Sequence, residues 1–291
     1  MHSIAKRLYL LATFPHYLDE QHLTVLNIKQ TGLDLRSGEP RDGSETFIHP
    51  FSTDRIHRIL NERKPWVEHM LFYGPLDPKY DALGLIYTLY HYLWHTEDDS
   101  PCLIEATSWR VREMEGEEGE VLVRRNMDGA DWVVWLLFDK MDGQTPHISC
   151  LLADENPIKD DQLSNAEVWC ILATINHRAR LKEYRNRIIP VTVISTSERK
   201  LRIVQGYVDG QDRLQVRKSP IIDFGGVHVY FDNGLVDEQN GLQLIELVLS
   251  WCLGDTVGCT HVSECECECQ IASAHSDQEA GCSASSVHPV D

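Results

Sequence analysis

The sequence predicts an α+β fold: one domain over residues 1–254 with a central mixed sheet flanked by helices, followed by a disordered acidic tail over 255–291. Three observations predict it. Apolar runs rich in Val, Ile and Leu recur between residues 102 and 218 at strand length, separated by turn residues. Three stretches, around Tyr80–Trp94, Ser164–Tyr184 and Gly241–Gly254, repeat apolar residues at intervals of three and four, as helices packed on a sheet do. After Gly254 the composition turns to Ser, Ala, Gly, Glu and Asp, too polar to bury a core.

Residues 1–50 carry the weakest pattern. Lys6 and Arg7 precede an apolar run, Leu8 to Phe14. The run is at the short limit for a signal peptide and lacks a small-x-small cleavage site, so it is expected to pack as the first element. HLTVLNIKQ (22–30) reads as a strand, and the Gly-, Pro-, Ser- and Asp-rich stretch 32–46 as a loop. Asp54–Lys64 reads as a short helix, capped by Thr53 or Asp54 and stopped before Pro65. Tyr80, Leu83, Ile86 or Tyr87, Tyr90 and Trp94 define the apolar face of the next helix.

Four strands are expected after it: CLIEATSW (102–109), EVLVRR (120–125), WVVWLLF (132–138) and HISCLLA (147–153). Asp128-Gly129 supplies a hairpin turn between the middle two. WVVWLLF is apolar on both faces and is expected at the centre of the sheet, dry on either side. Ser164 with Glu167 three residues on is a capping box, each side chain satisfying an amide of the first helical turn. Val168, Leu172, Ile175 and Ala179 form that helix's buried stripe. Pro190 can only open the following strand, because it has no amide to give a ladder. LRIVQGYV (201–208), Asp209-Gly210 and RLQVRK (213–218) make a second hairpin, and Gly254 ends a closing helix over Gly241–Gly254.

The net charge is -18, and seven of the acids with no Lys or Arg fall after Gly254, leaving -11 on the rest. Acidity this widespread repels nucleic acid and anionic membrane at long range, so neither is expected as a partner. No stretch approaches transmembrane length. Of nine cysteines, Cys102, Cys150, Cys170 and Cys252 sit among apolar neighbours, as small hydrophobes do. The odd count and the lack of a spaced framework fit a reducing compartment, cytoplasmic or nuclear.

From Tyr80 to Ser195, with HISCLLA left uncounted, the order helix, strand, strand, strand, helix, strand resembles the αβββαβ core of the restriction-endonuclease-like fold. That resemblance implies an acid on the second core strand and an acid-x-Lys on the third, which hold a divalent metal for phosphodiester attack. Glu105 stands on the first expected strand and Glu120 on the second. The third, WVVWLLFDK, has Trp135, Leu136 and Leu137 at its centre. Asp139 and Lys140 are adjacent, so they point to opposite faces. The expected outcome is a fold without its catalytic set. Glu105, Glu120 and Asp139 are the catalytic candidates of the alternative, a divalent-metal phosphodiesterase or nuclease.

His91 and His95, four apart on a helix, have the spacing of metal ligands, but Tyr92 stands where an HExxH acid belongs. They read as surface residues on the helix's polar flank. Arg178, Arg180, Lys182, Arg185 and Arg187, with His177, crowd the end of the central helix. Two readings stay open: an anion-binding patch, or cations gathered where a helix ends in free carbonyls. Cys265, Cys267 and Cys269 in CECEC have soft-metal spacing, while Glu266 and Glu268 oppose thiolate formation. The tail is read as flexible chain. No phosphate-binding Gly loop, G-x-S-x-G or Cys-x-x-Cys occurs.

Pro190-Val191, Ile194-Ser195, Arg202, the Tyr207-x-Asp209-Gly210 turn and Ile222-Asp223-Phe224 resemble a recurrent segment of uncharacterised proteins of filamentous fungi. The likeness spans about Ser164 to Gly254. It implies a fungal source. Such proteins are sometimes encoded beside secondary-metabolite genes, which implies an accessory role there, but the resemblance brings no activity, substrate or cofactor. The expected function is a non-catalytic or catalytically degraded intracellular protein that engages a protein or small-molecule partner without a cofactor. A metal-dependent phosphodiesterase and a metabolite-binding or tailoring protein are the alternatives.

Overall fold

Local hydrogen bonding decides the first elements. The computed structural model describes residues 2–63, 78–94, 102–112, 123–124, 132–225 and 238–261. The N-terminal run is helix α1 (His2–Leu11), followed by strand β1 (Tyr17–Leu18), helix α2 (Glu20–Val25) and strand β2 (Ile28–Gly32). HLTVLNIKQ is therefore half helix. Asp19 accepts from the His22 amide and the His22 ring bonds back to the Asp19 amide, a reciprocal cap that outweighs the strand-like alternation. Strand β3 (Ile48–His49) precedes helix α3 (Thr53–Arg63). The α3 cap is Ser52, which accepts from the Arg55 amide, rather than Thr53 or Asp54.

Helix α4 (Pro78–Trp94) buries Ala82, Leu85, Ile86, Leu89 and Leu93. Its inner face is thus rotated from the expected one. Leu83, Tyr87 and Tyr90 lie half-buried on the flank, and Trp94 is 42% exposed. The aliphatic row fits the close approach to the sheet, where the bulkier rings do not.

CLIEATSW is not a strand. Ile104–Ala106 form a 3-10 turn, held by the Cys102 amide donating to the Glu105 carboxylate and by Thr107 donating to the Ile104 carbonyl. Strand β4 (Trp109–Arg112) starts only where that run ends. Of the expected strand 120–125, Val123–Arg124 is described, as β5. The Asp128-Gly129 turn lies outside the described residues. The chain continues as β6 (Trp132–Lys140), β7 (Ile148–Asp154), β8 (Leu163–Ser164), helix α5 (Asn165–Arg178), β9 (Val191–Ser197), β10 (Lys200–Val208), β11 (Leu214–Lys218), β12 (Ile222–Asp223), helix α6 (Glu238–Cys252) and β13 (Asp255–Thr256).

One nine-stranded mixed sheet organises the molecule, in the order β2-β11-β10-β9-β7-β6-β4, with β12 beside β10 and β5 beside β6. β7 and β9 are parallel, with α5 crossing between them, and β2 runs parallel to β11. Its remaining pairs are antiparallel. α1 and α5 cover one face over Cys150, Leu152, Val191, Val193 and Val204. α3, α4 and α6 cover the other over Leu151, Ile194, Leu201 and Ile203.

WVVWLLF is not at the centre. β6 lies one strand in from the β4 edge, and Val133, Trp135 and Leu136 are only half-buried. A bulge between Val134 and Leu136 turns both Trp135 and Leu136 towards the α4 side, which explains how a run without alternation sits in a half-covered strand. The centre is β7 and β9, whose residues are all buried.

The ordered fold also extends past Gly254. β13 pairs with β3, and His261 bridges to Arg187. Gly254 follows α6 because a Cβ there would stand 2.8 Å from the His49 carbonyl oxygen. CECEC lies outside the described residues. Cys102, Cys150, Cys170 and Cys252 are buried free thiols. No helix among the described residues is long and apolar enough to cross a membrane.

Candidate functional site

The residues that a metal-dependent nuclease would need do not converge. Asp139 and Lys140 end β6 on opposite faces of the sheet. Asp139 is buried on the α5 side, where it accepts from Arg178 at 2.6 Å and from Arg110 at 2.7 Å, one bond to each oxygen. Lys140 is buried on the other side, donating to Ser108 Oγ at 2.7 Å and lying 4.2 Å from the Trp109 ring centroid. Burial there lowers its pKa to about 8. Glu105 is exposed on the 3-10 turn rather than on a strand, with its carboxylate engaged by the Cys102 amide. His91 is half-buried on α4. Glu120 and His95 lie outside the described residues. Among the described residues, no group of three or more His, Cys, Asp or Glu could hold a metal ion.

The cationic cluster after α5 divides in two. Arg178 is withdrawn into the Asp139 pair, and Arg187 donates to the Gln144 carbonyl and to Thr260 Oγ1. Arg180, Lys182 and Arg185 remain exposed, with exposed Glu183 among them.

A second cluster forms at the carboxyl ends of the parallel strands β7 and β9, where open α/β sheets commonly gather ligands. Asp154 ends β7, and Ser164 and Glu167 open α5. Glu167 receives Arg202 Nε at 2.7 Å and Arg202 Nη2 at 2.5 Å, and both side chains are buried. Arg202 also donates to the carbonyls of Lys159 and Gln162. Burial pushes the Glu167 carboxyl up, but the Arg202 charge and its hydrogen bonds, with those of Ser164 and Ser195, hold it below the ordinary glutamate range.

Asp154, close by, pairs with no Lys or Arg among the described residues. Burial raises its pKa to about 7 against the hydrogen bonds it accepts from Asn156. His16 Nε2 stands 3.3 Å from its Oδ2, and burial lowers that imidazole to about 4. The pair is an acid that titrates near neutrality beside a neutral base. It lies beneath the N-terminal segment, which Asn165 fixes by donating its side chain to the Leu11 carbonyl and its amide to the His16 carbonyl. The only sequence signal for Asp154 was an acid closing an otherwise apolar strand. Nothing local pointed to His16.

An open cleft of about 860 Å³ lies between α3 and α6. Leu35, Phe51, Leu244 and Leu247 form its apolar wall, and Asp54, His57, Asp223 and Glu246 are among its polar groups. His57 Nδ1 is 2.9 Å from Glu246 Oε1. Sequence reading missed this pair, whose members lie 189 residues apart. Compared with known proteins, the chain matches no family model, no curated protein and no solved structure.

Proposed function

We propose that this chain acts by binding rather than by catalysis, as an accessory protein built on a core that lacks phosphodiesterase chemistry. With the short strands β5 and β8 set aside, the succession α4, β4, β6, β7, α5, β9 supports a comparison with the element order of the restriction-endonuclease-like core. With β4 as the first core strand, β6 becomes the second and β7 the third. One observation carries the reading. Asp139 ends β6 opposite Ile148, whereas Asp154 ends β7 opposite Trp132. The two carboxylates therefore stand at opposite ends of one strand pair, about 20 Å apart at roughly 3.3 Å per residue, far beyond a shared metal. Asn156 stands where an acid-x-Lys would need its lysine. A filamentous-fungal source, a cytoplasmic or nuclear location and a place beside specialised metabolism go with this reading.

The test is thermal unfolding of the full chain with and without millimolar Mg²⁺ or Mn²⁺, alongside hydrolysis assays on single- and double-stranded DNA. The expected result is no specific stabilisation and no cleavage. A metal-dependent rise in Tm that disappears in Glu120→Ala or Asp154→Asn, together with cleavage, overturns the proposal.

A further inference from the structure

The cleft between α3 and α6 supplies what a binding role needs, and we infer that it takes a small organic cation: a primary ammonium on an apolar, aromatic-sized body. The inference deepens the binding reading by naming the ligand class. Its volume of about 860 Å³ is that of a small-molecule site. Its wall of Leu35, Phe51, Leu244 and Leu247 gives an apolar body a surface to cover.

The charge lining that wall is mostly negative. Among the described lining residues, Asp54, Asp223 and Glu246 face one arginine, Arg36, and Arg55, stacked 3.4 Å from the centre of the Phe51 ring, is itself paired with Asp255. Asp54 also sits in the first turn of α3, where it offsets the positive end of that helix, and Ser52 caps the same end. An anionic ligand would therefore meet three carboxylates.

Glu246 selects the head group. Its side chain is 8% exposed, yet its only ion-pair partner among the described residues is His57, whose side chain is 61% exposed. Two other buried carboxylates are met by arginines, Glu167 by Arg202 and Asp139 by Arg110 and Arg178, whereas Glu246, like Asp154, meets only a histidine among the described residues. The charge of Glu246 reaches the interior: Tyr92 on α4 has its hydroxyl pushed up first by burial and then by that carboxylate. A carboxylate this buried gains most from a cation that arrives with its own donors, and an ammonium brings three. Glu246 and His57 both line the cleft, and the apolar wall receives the rest of the ligand.

Calorimetric titration of the full chain with phenethylamine, and in parallel with 3-phenylpropionate, tests this. Saturable binding of the amine with no binding of the acid is expected. Glu246→Gln should weaken the amine by about tenfold or more, the loss of one charge-assisted contact. Should Glu246→Gln fail to fold, Asp223→Asn on the exposed rim carries the test, with a weakening of about threefold expected. Equal binding of amine and acid, no binding of the amine, or an affinity unchanged in the folded variants overturns the inference. Such a failure leaves the binding reading standing, because that reading falls only to metal-dependent hydrolysis.

Discussion

Asp154 is a carboxylate almost wholly out of water with no lysine or arginine paired to it among the described residues, and this fixes how it titrates. Its pKa is about 7 in the fold against 3.8 as the ordinary value. Between those values the folded chain holds a proton that the unfolded chain has released, so this group makes stability fall as pH rises. His16 has the opposite sign. It is held at about 4 against 6.5, so the unfolded chain binds the extra proton and stability rises with pH across that window. The two slopes oppose each other in the native protein. Asp154→Asn removes only the first. Its stability should therefore climb from pH 4 to 6.5, and at pH 8 exceed that of the native chain by about 2–4 kcal/mol. Urea unfolding at pH 4.5, 6 and 8 measures the gap. A gap that does not widen with pH means that Asp154 is ionised in the fold at little cost.

At the scale of elements, the contact of α5 with the sheet depends on a missing side chain. A Cβ on Gly206 would stand 2.7 Å from Ile171 Cγ2 and 2.9 Å from its Cδ1, both in a packed core. Gly206→Ala should cost about 1–3 kcal/mol through overpacking, and Ile171→Val in the same chain should return part of it. Denaturant midpoints of the two single variants and the double variant check this, and a double variant no better than Gly206→Ala alone places the strain elsewhere. Features of this local kind were legible in the sequence. The Ser164–Glu167 capping box, Pro190 ahead of β9 and the Asp209-Gly210 turn are all written within a few residues. What failed to read was long-range or locally contested. Glu167 looked like a cap, and only the fold brings it to Arg202, 35 residues away. The stripe Val168, Leu172, Ile175 and Ala179 misjudged α5: Ala179 is only half-buried at its C-cap, while the helix itself is buried nearly all round because α1 packs against it as well as the sheet. CLIEATSW has the composition of a strand, yet Glu105 and Thr107 bond its own backbone and make a turn. The candidate sites were least legible, since Asp154 with His16 and Glu246 with His57 are each joined only by tertiary structure.

For the molecule as a whole, the last described residues act as a strap that closes one end of the sheet. β13 pairs with β3, the Val257 amide donates to the Phe47 carbonyl at 3.0 Å, and the Ile188 amide donates to the Thr260 carbonyl at 2.7 Å. His147 Nε2 meets the Val257 carbonyl at 3.2 Å, and Arg187 donates to Thr260 Oγ1 at 2.7 Å. Beside the Phe47 end of this strap runs a row of buried polar side chains, Ser149, Thr192, Gln205 and Arg217, on neighbouring strands in register. Arg217 has no carboxylate in contact among the described residues. It donates to Gln205 at 2.9 Å and to Ser44 at 3.0 Å and rests on the rings of Phe47 and Tyr207. Burial pulls its pKa below the ordinary arginine value. A cation so placed is tolerable only while its hydrogen bonds are kept, and β3 with its neighbour Phe47 is fixed by the strap. Ending the chain after Gly254 removes the strap and loosens Phe47 over Arg217. The truncated chain should lose at least about 2 kcal/mol, from several hydrogen bonds at roughly 0.5–1.5 kcal/mol each. Limited proteolysis should then cut first within residues 44–50. An unfolding midpoint equal to that of the full chain, with the 44–50 segment still protected, would mean that β3 holds its place without β13.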